Sequence, residues 1–141
     1  MKIKKLLQIF LSSYACFVIL DYLWFSVVSG KFLFQKMRPI ANTNSIGEAF
    51  SITYWSATIV YALLSLGMIY LVQPEKQESY KDAALAGSLY GLVVYGVYDF
   101  TNYATLEYWP LDLMAVDVVW GTFSACLISI LVYKLFRVNR S

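Results

Sequence analysis

Residues 112–134 read DLMAVDVVWGTFSACLISILVYK. Apart from its two end residues, this stretch contains a single charged residue, Asp117. A helix needs about 20 predominantly apolar residues to cross the hydrocarbon core of a bilayer, so the stretch predicts a transmembrane helix. Three other runs, at about 6–28, 50–72 and 83–103, have the same character. The sequence therefore predicts an all-α fold, a four-helix transmembrane bundle forming a single integral membrane domain over 1–141.

The composition of the whole chain agrees with lipid as its solvent. Of 141 residues, 60% are hydrophobic and 14% are charged, against about 45–50% and 25% in soluble domains. The chain has no His, which excludes imidazole ligands and His-based acid–base chemistry. Cys16 and Cys126 each lie inside an apolar run and are interpreted as small buried hydrophobic residues. The net charge of +2 is too small to indicate a nucleic-acid partner.

Basic residues predict the direction of insertion. The apolar run after Lys5 is longer than the about 7–15 residues of a signal peptide, so the first helix is expected to be retained. If both termini are cytoplasmic, eight Lys and Arg residues lie inside and three, Lys31, Lys36 and Arg38, lie outside. Cytoplasmic loops carry an excess of basic residues, so the sequence predicts that both termini are cytoplasmic.

Polar residues between the runs predict where helices begin. Residues 30–49 are predicted to form a loop, and Ser45 and Glu48 at its end fit a capping box that opens the second helix. Asp82 is expected to cap the third helix. Asp112 follows Pro110 in the first turn of the fourth helix, where a carboxylate faces the positive helix end. Glu48 and Asp112 are therefore interpreted as structural residues.

Three aspartates lie inside the apolar runs. An Asp near the bilayer centre costs about 2.5–3.5 kcal/mol, and such residues usually face the bundle interior and mark functional sites. At 1.5 Å per residue, Asp21, Asp99 and Asp117 lie about 6, 9 and 9 Å to the outer side of the centres of their spans. Apart from Lys134 at the end of the last run, the runs contain no Lys or Arg, and desolvation and like charge both favour a protonated carboxyl. At least one of the three is therefore predicted to be protonated at pH 7, unless a cation binds between them.

Polar and aromatic neighbours are predicted to complete this cluster. Trp24 follows Asp21 by three residues, Trp120 follows Asp117 by three, and an indole N–H can donate to a carboxylate. Asn102 lies one turn after Asp99. The candidate binding residues are Asp21, Trp24, Tyr98, Asp99, Thr101, Asn102, Asp117 and Trp120. No cofactor is assigned to them; oxygen ligands alone would suit a cation such as Mg²⁺, Ca²⁺ or Mn²⁺.

Small residues indicate where helices approach closely. Gly87 and Gly91 form a GxxxG spacing on the third helix. On the fourth helix one side carries Asp117, Gly121, Ser124 and Ile128. On the second helix one side carries Ser51, Trp55, Thr58, Ala62 and Ser65, and this side is predicted to line the interior.

The region from 91 to 122 carries a recognisable motif. It reads YDFTN at 98–102, AT at 104–105, WPL at 109–111 and DVVWGT at 117–122, and LDYLW stands at 20–24. These residues resemble a family of bacterial integral membrane proteins grouped as domain of unknown function 2177. The resemblance implies a multi-pass protein of the bacterial inner membrane with about four helices. It brings no established activity.

Three functions fit these observations. The first is a transporter or channel for a cation, a proton-coupled solute or a small polar molecule, since membrane carboxylates mark such pathways; four helices are few for a complete pathway, so a homodimer is expected. The second is an accessory or assembly protein whose aspartates are structural. The third is a membrane-embedded enzyme acting on a lipid, but the sequence shows no known catalytic motif and no evident nucleophile, so a non-enzymatic function is preferred.

Overall fold

The protein is a bundle of long helices. The computed structural model describes the backbone of residues 3–40 and 46–137 and the side chains of 3–40 and 54–137. Its α-helices are α1 (Ile3–Leu23), α2 (Gly30–Met37), α3 (Ile46–Gly67), α4 (Tyr80–Thr105) and α5 (Leu111–Phe136). π-Helical turns at Trp24–Ser29 and Met68–Val72 continue α1 into α2 and extend α3, and a 3₁₀ turn covers Pro74–Lys76.

Four helical segments are long and apolar enough to cross a bilayer. They are Ile3–Met37, Tyr54–Lys76, Tyr80–Thr105 and Leu111–Phe136. The predicted all-α fold with four candidate spans is thereby confirmed. The cytoplasmic position of both termini stays a prediction.

The first helix continues past its predicted end. Residues 30–49 were expected to form a loop, but the chain stays helical to Met37. Residues 30–37, GKFLFQKM, pack around a buried Leu33 and contain no proline. Pro39 has no N–H to continue the helical hydrogen bonds, so the helix ends at Met37 and a turn follows, in which the Ile40 N–H donates to the Met37 carbonyl oxygen at 2.9 Å. An ion pair of 2.6 Å between Lys36 Nζ and Asp112 Oδ2 ties α2 to the start of α5.

Side-chain caps define the start of α4. Ser79, rather than Asp82, is the capping residue: its Oγ accepts a hydrogen bond from the Asp82 backbone N–H at 3.2 Å and donates to Asp82 Oδ2 at 2.7 Å. The cap expected at Asp82 was therefore wrong by one turn. Asp112 accepts from the Leu113 N–H at 2.9 Å in the first turn of α5, as expected of a helix-start residue. The expected pair of Ser45 and Glu48 lies outside the described side chains.

The tightest helix pair is α4 with α5. A Cβ added at Gly87 would lie 2.5 Å from Ser129 Cβ and 2.6 Å from the Ala125 carbonyl oxygen. One added at Gly91 would meet the Gly121 carbonyl oxygen and Ala125 Cβ. These contacts agree with the close approach predicted from the GxxxG spacing. They fix the register of α4 against α5, and with it the relative height of Asp99 and Asp117.

The hydrophobic core lies between α1, the second half of α3 and the second half of α5. α1 packs against α3 and α5, and the turn at Met68–Val72 also reaches α4. The core is formed by Ile9, Phe17, Leu64, Met68, Ile69, Val72, Ala125, Ile128 and Val132. All of these lie toward one end of the bundle. The aspartates lie beyond this apolar layer, toward the other end.

Candidate carboxylate site

Two of the aspartates face each other across the α4–α5 interface. Asp99 is 0% exposed, and its Oδ1 accepts a hydrogen bond of 3.0 Å from Trp109 Nε1 in the loop that joins the two helices. The carboxyl groups of Asp99 and Asp117 lie close enough to each other to interact. Asp99 Oδ2 has no N–H or hydroxyl donor among the described residues. Asp99 is therefore enclosed by protein and only half supplied with donors, whereas Asp117 is half-buried.

The third aspartate joins three helices. Asp21 on α1 is 7% exposed, and its Oδ1 accepts a hydrogen bond of 2.8 Å from Trp120 Nε1 on α5. The hydroxyl of Tyr61, on α3, lies close to the same carboxyl group. Asp21 thus has an indole donor from α5 and a phenol of α3 beside it, whereas one described indole donates to the Asp99–Asp117 pair.

The three carboxyl groups lie at one level of the bundle. Trp120, which is bonded to Asp21, stands three residues after Asp117, about 4.5 Å along the helix axis. Asp117 in turn faces Asp99 and is close enough to Asp21 to interact with it electrostatically. The predicted cluster of Asp21, Asp99 and Asp117 is therefore brought together by α1, α4 and α5.

Two tyrosines that were not among the predicted site residues, Tyr61 and Tyr95, lie beside the carboxyl groups. Tyr95 packs its ring against Gly121, and it lies close enough to Asp21 and Asp117 to feel both charges. Tyr61 faces Asp21 directly. The helical phase of both tyrosines could have identified them. A tyrosine on the inner face of a helix, at the depth of the aspartates, brings its hydroxyl close to their carboxyl groups.

The helical phase of α3 differs from the predicted one. Trp55 and Thr58 were expected to line the interior, but both are exposed, and Thr58 bonds to the carbonyl oxygen of Tyr54. Ser65 of the same predicted stripe is buried and bonds to the Tyr61 carbonyl oxygen. Small and hydroxyl-bearing side chains therefore did not identify the side of α3 that faces the bundle interior. A hydroxyl can form its hydrogen bond with the backbone of its own helix as well as with a partner on another helix.

The remaining candidate residues divide into two groups. Trp24 stacks on Trp120, with ring centroids 4.3 Å apart and an interplanar angle of 4°, but its buried Nε1 has no partner among the described residues. Only one of the two D-x-x-W indoles, Trp120, thus donates to a carboxylate. Tyr98 bonds to Asn102 and packs edge-on against Trp109 at 5.8 Å, so these residues lie beside the pair.

Thr101 is not brought to the cluster. It follows Asp99 by two residues, which places it on another side of α4, and it is exposed. Trp109, which was not among the candidate residues, donates to Asp99. Its role was hidden in the sequence because the loop geometry that returns it to α4 cannot be read from helical spacing.

The charges of the site are all of one sign. No Lys or Arg occurs at 6–30, 50–75 or 82–133, and Lys36 pairs with Asp112 rather than with the cluster. Within the described part of the chain, no three His, Cys, Asp or Glu side chains are arranged to hold a metal ion. Two carboxyl groups in contact can share one proton, because like charges at this distance disfavour ionising both. The arrangement is suited to binding and releasing a proton.

Comparison with known proteins supplies the family and no function. No curated protein and no solved structure shows a significant match. Residues 6–134 match the model of a family described as predicted membrane proteins, domain of unknown function 2177. This range contains all four candidate spans except their outermost residues and includes every aspartate of the cluster. The chain therefore belongs to the membrane-protein family grouped as domain of unknown function 2177.

Proposed function

We propose that the protein is a proton-coupled transporter or channel for a small polar molecule or cation, in which the Asp99–Asp117 pair exchanges the proton. The observation that carries the proposal is the proximity of the fully buried carboxyl group of Asp99 to the half-buried one of Asp117. Two neighbouring carboxyl groups are held together best when they share one proton, which supports a role in binding and releasing a proton.

The surroundings of the pair support exchange rather than permanent burial of the proton. Asp99 Oδ2 has no N–H or hydroxyl donor in the part of the chain that the structure describes, and a buried polar group without a partner costs about 1–3 kcal/mol. A structural carboxyl would be expected to have such partners, as Asp21 has. Tyr95 and Tyr98 place hydroxyl-bearing rings beside the pair, and a hydroxyl can both donate and accept a proton.

Assembly is the second candidate function, and one observation favours it. The bond from Trp120 to Asp21 joins α1 to α5, and the bond from Trp109 to Asp99 joins the loop to α4. Polar pairs of this kind stabilise helix association in membranes. Under this alternative the aspartates hold the bundle together, and a partner protein provides the activity.

Proton flux distinguishes the two functions. The purified protein is reconstituted into liposomes containing a pH-sensitive dye, and a pH gradient is imposed with valinomycin and K⁺ present. Asp99→Asn and Asp117→Asn are each expected to reduce protein-dependent proton flux by at least about tenfold, which corresponds to ~1.4 kcal/mol. Asp82→Asn, outside the cluster, is the matched control and is expected to retain the flux of the unmodified protein.

The state of the proton can be measured independently. Infrared spectroscopy at neutral pH is expected to show the carbonyl stretch of a protonated carboxyl group, and either Asn variant of the pair should remove it. Folded variants that keep the full flux would contradict the proposal. Unfolding of both variants, with the Asp82→Asn control intact, would favour assembly.

Localisation and oligomeric state belong to the same proposal. Insertion with both termini on the cytoplasmic side of a bacterial inner membrane would put the cluster in the outer half of the bilayer. A homodimer would supply the additional helices that a transport pathway requires. Cysteine accessibility at the termini and crosslinking in native membranes test these two points.

A further inference from the structure

Trp24 has a buried indole N–H without a hydrogen-bond partner. No described residue accepts a bond from its Nε1, although the nitrogen is enclosed by protein. Such a donor is costly, because it has lost its bonds to water and gained none in return, and the interior of a membrane-spanning bundle supplies no water to replace them. A partner that is available in only one state of the protein would account for this donor.

The two D-x-x-W segments occupy reciprocal positions on antiparallel helices. Trp120 on α5 donates to Asp21 on α1. Because α1 and α5 belong to the first and the fourth of four successive spans, they run in opposite directions. Three residues forward from Asp21 and three residues back from Trp120 therefore lead to the same level of the bundle. These two positions are Trp24 and Asp117, so the unpartnered indole lies level with one carboxyl group of the proposed proton-exchanging pair.

The stack of the two indoles holds Trp24 at this level. The ring centroids of Trp24 and Trp120 are 4.3 Å apart and the rings are inclined by 4°. The bond to Asp21 fixes Trp120, so its ring is a fixed surface for that of Trp24. The π-helical turn begins at Trp24, whose carbonyl oxygen accepts a hydrogen bond of 3.3 Å from Ser29 Oγ. Turns of this kind are rare and frequently occur at functional sites.

We propose that the Trp24 indole donates its N–H to the ionised carboxylate of Asp117 when the Asp99–Asp117 pair releases its proton. This inference rests on the proposed function. While the proton is bound, Asp117 shares it with Asp99. After the proton has passed to water or to the transported solute, the two carboxylates repel each other, and Asp117 accepts a hydrogen bond from Nε1. The indole keeps its own hydrogen because it acts only as a donor. Trp24 is thus a positioning residue that stabilises the ionised state.

The surroundings of Asp117 favour an indole for this role. Four titratable groups face Asp117 from the neighbouring helices: Asp99, Tyr95 and Tyr98 from α4 and Asp21 from α1. No Lys or Arg occurs at 6–30 or 82–133 to compensate the charge. A hydrogen bond to a carboxylate is stronger than one to a neutral carboxyl group. Trp24 therefore stabilises Asp117 more after release of the proton than before it.

NMR of the indole N–H groups tests the proposal on the unmodified protein. The protein is labelled with ¹⁵N-tryptophan in detergent micelles, and single Trp→Phe variants assign the signals. As rising pH removes the infrared band of the protonated carboxyl group, the Trp24 proton signal is expected to move downfield, and Asp117→Asn should abolish this movement. The Trp120 signal should move little, because its N–H already donates to Asp21. A Trp24 signal that stays in place while the carboxyl band disappears would overturn the inference and leave the proposed function intact.

A substitution tests the same bond through the acid. Trp24→Phe removes the donor, so the ionised state loses stabilisation and the carboxyl band should persist to a pH higher by about one unit, a tenfold change in the equilibrium. Trp55→Phe makes the same exchange at an exposed position of α3 and should leave the midpoint unchanged. An unchanged midpoint in folded Trp24→Phe would contradict the inference. Absence of the band from the unmodified protein at every pH would overturn the proposed function together with it.

Discussion

Replacing Trp120 by Phe should measure the hydrogen bond that holds Asp21. The substitution removes Nε1, which donates to Asp21 Oδ1 at 2.8 Å, and keeps an aromatic ring against Trp24. Trp24→Phe is a matched control, because its ring belongs to the same stack but its Nε1 has no partner among the described residues. The cost of shortening an indole to a phenyl ring is common to both variants. The difference between them therefore reports the hydrogen bond.

The expected difference follows from the burial of Asp21. Hydrogen bonds between membrane helices contribute about 1–2 kcal/mol in model peptides and on average about 0.6 kcal/mol in a folded membrane protein. Asp21 is 7% exposed, so water does not readily replace the lost donor, but Tyr61 remains near it. We expect the free energy of unfolding to fall by about 1–2 kcal/mol more in Trp120→Phe than in Trp24→Phe.

Unfolding of the purified protein by SDS in mixed micelles, followed by circular dichroism, gives both free energies under identical conditions. A double-mutant cycle with Asp21→Ala then isolates the coupling of Trp120 to Asp21, and Trp24 should show no comparable coupling. Equal losses in the two Phe variants, or a larger loss in Trp24→Phe, would refute the assignment of Trp120 as the donor.

Three further substitutions test the packing with the same unfolding assay. Gly91→Ala should lower the free energy of unfolding by about 1–3 kcal/mol because its methyl group meets the α5 backbone, whereas Gly96→Ala, which meets nothing within 4 Å, should be neutral or stabilising; the reverse order would refute the α4–α5 register. Glu75→Met should raise the free energy of unfolding by about 1–3 kcal/mol, since neither carboxyl oxygen has a partner among the described residues and both are buried; a lower free energy of unfolding would refute this. Asp112→Asn breaks the half-exposed pair with Lys36 and should cost less than Trp120→Phe. Because salt screens exposed ion pairs, high salt should reduce the cost of Asp112→Asn further, and a cost that salt does not reduce would contradict this explanation.

The apolar pattern predicted the fold because a bilayer imposes one strong constraint. A span of about 20 residues must satisfy its own backbone hydrogen bonds, so composition and length suffice to identify it. Residues 112–134 lie within α5, which covers Leu111–Phe136. The same rule gave no information about where the first helix leaves the membrane. Residues 30–37 stay helical because Leu33 is buried and Lys36 forms an ion pair with Asp112. Both are tertiary contacts, which the apolar pattern of the sequence does not reveal.

The level of the cluster was predictable, and its hydrogen bonds were only partly so. Depth follows from counting residues at 1.5 Å each, and this brought Asp21, Asp99 and Asp117 together. Which donor meets which carboxyl group depends on helix rotation and on loops. The spacing of the D-x-x-W pairs therefore suggested two indole donors, and Trp120 provides one of them, whereas Trp109 reaches Asp99 through a loop whose path no helical period describes.

The distribution of donors explains why three identical side chains need not have one role. Asp21 receives an indole N–H and faces a phenol hydroxyl, so its carboxyl group is held between α1, α3 and α5 whatever the state of the others. Asp99 and Asp117 have a single indole donor among the described side chains and otherwise lie beside each other. Under the proposed function a proton stabilises this pair, and its removal leaves a repulsion that is relieved by movement of α4 against α5 or by entry of a cation. The interface concerned is closely packed, with Gly87 and Gly91 against α5. Under the same proposal, loss of the proton therefore acts on the contact that fixes the two halves of the pair, and this couples protonation to a change in the bundle.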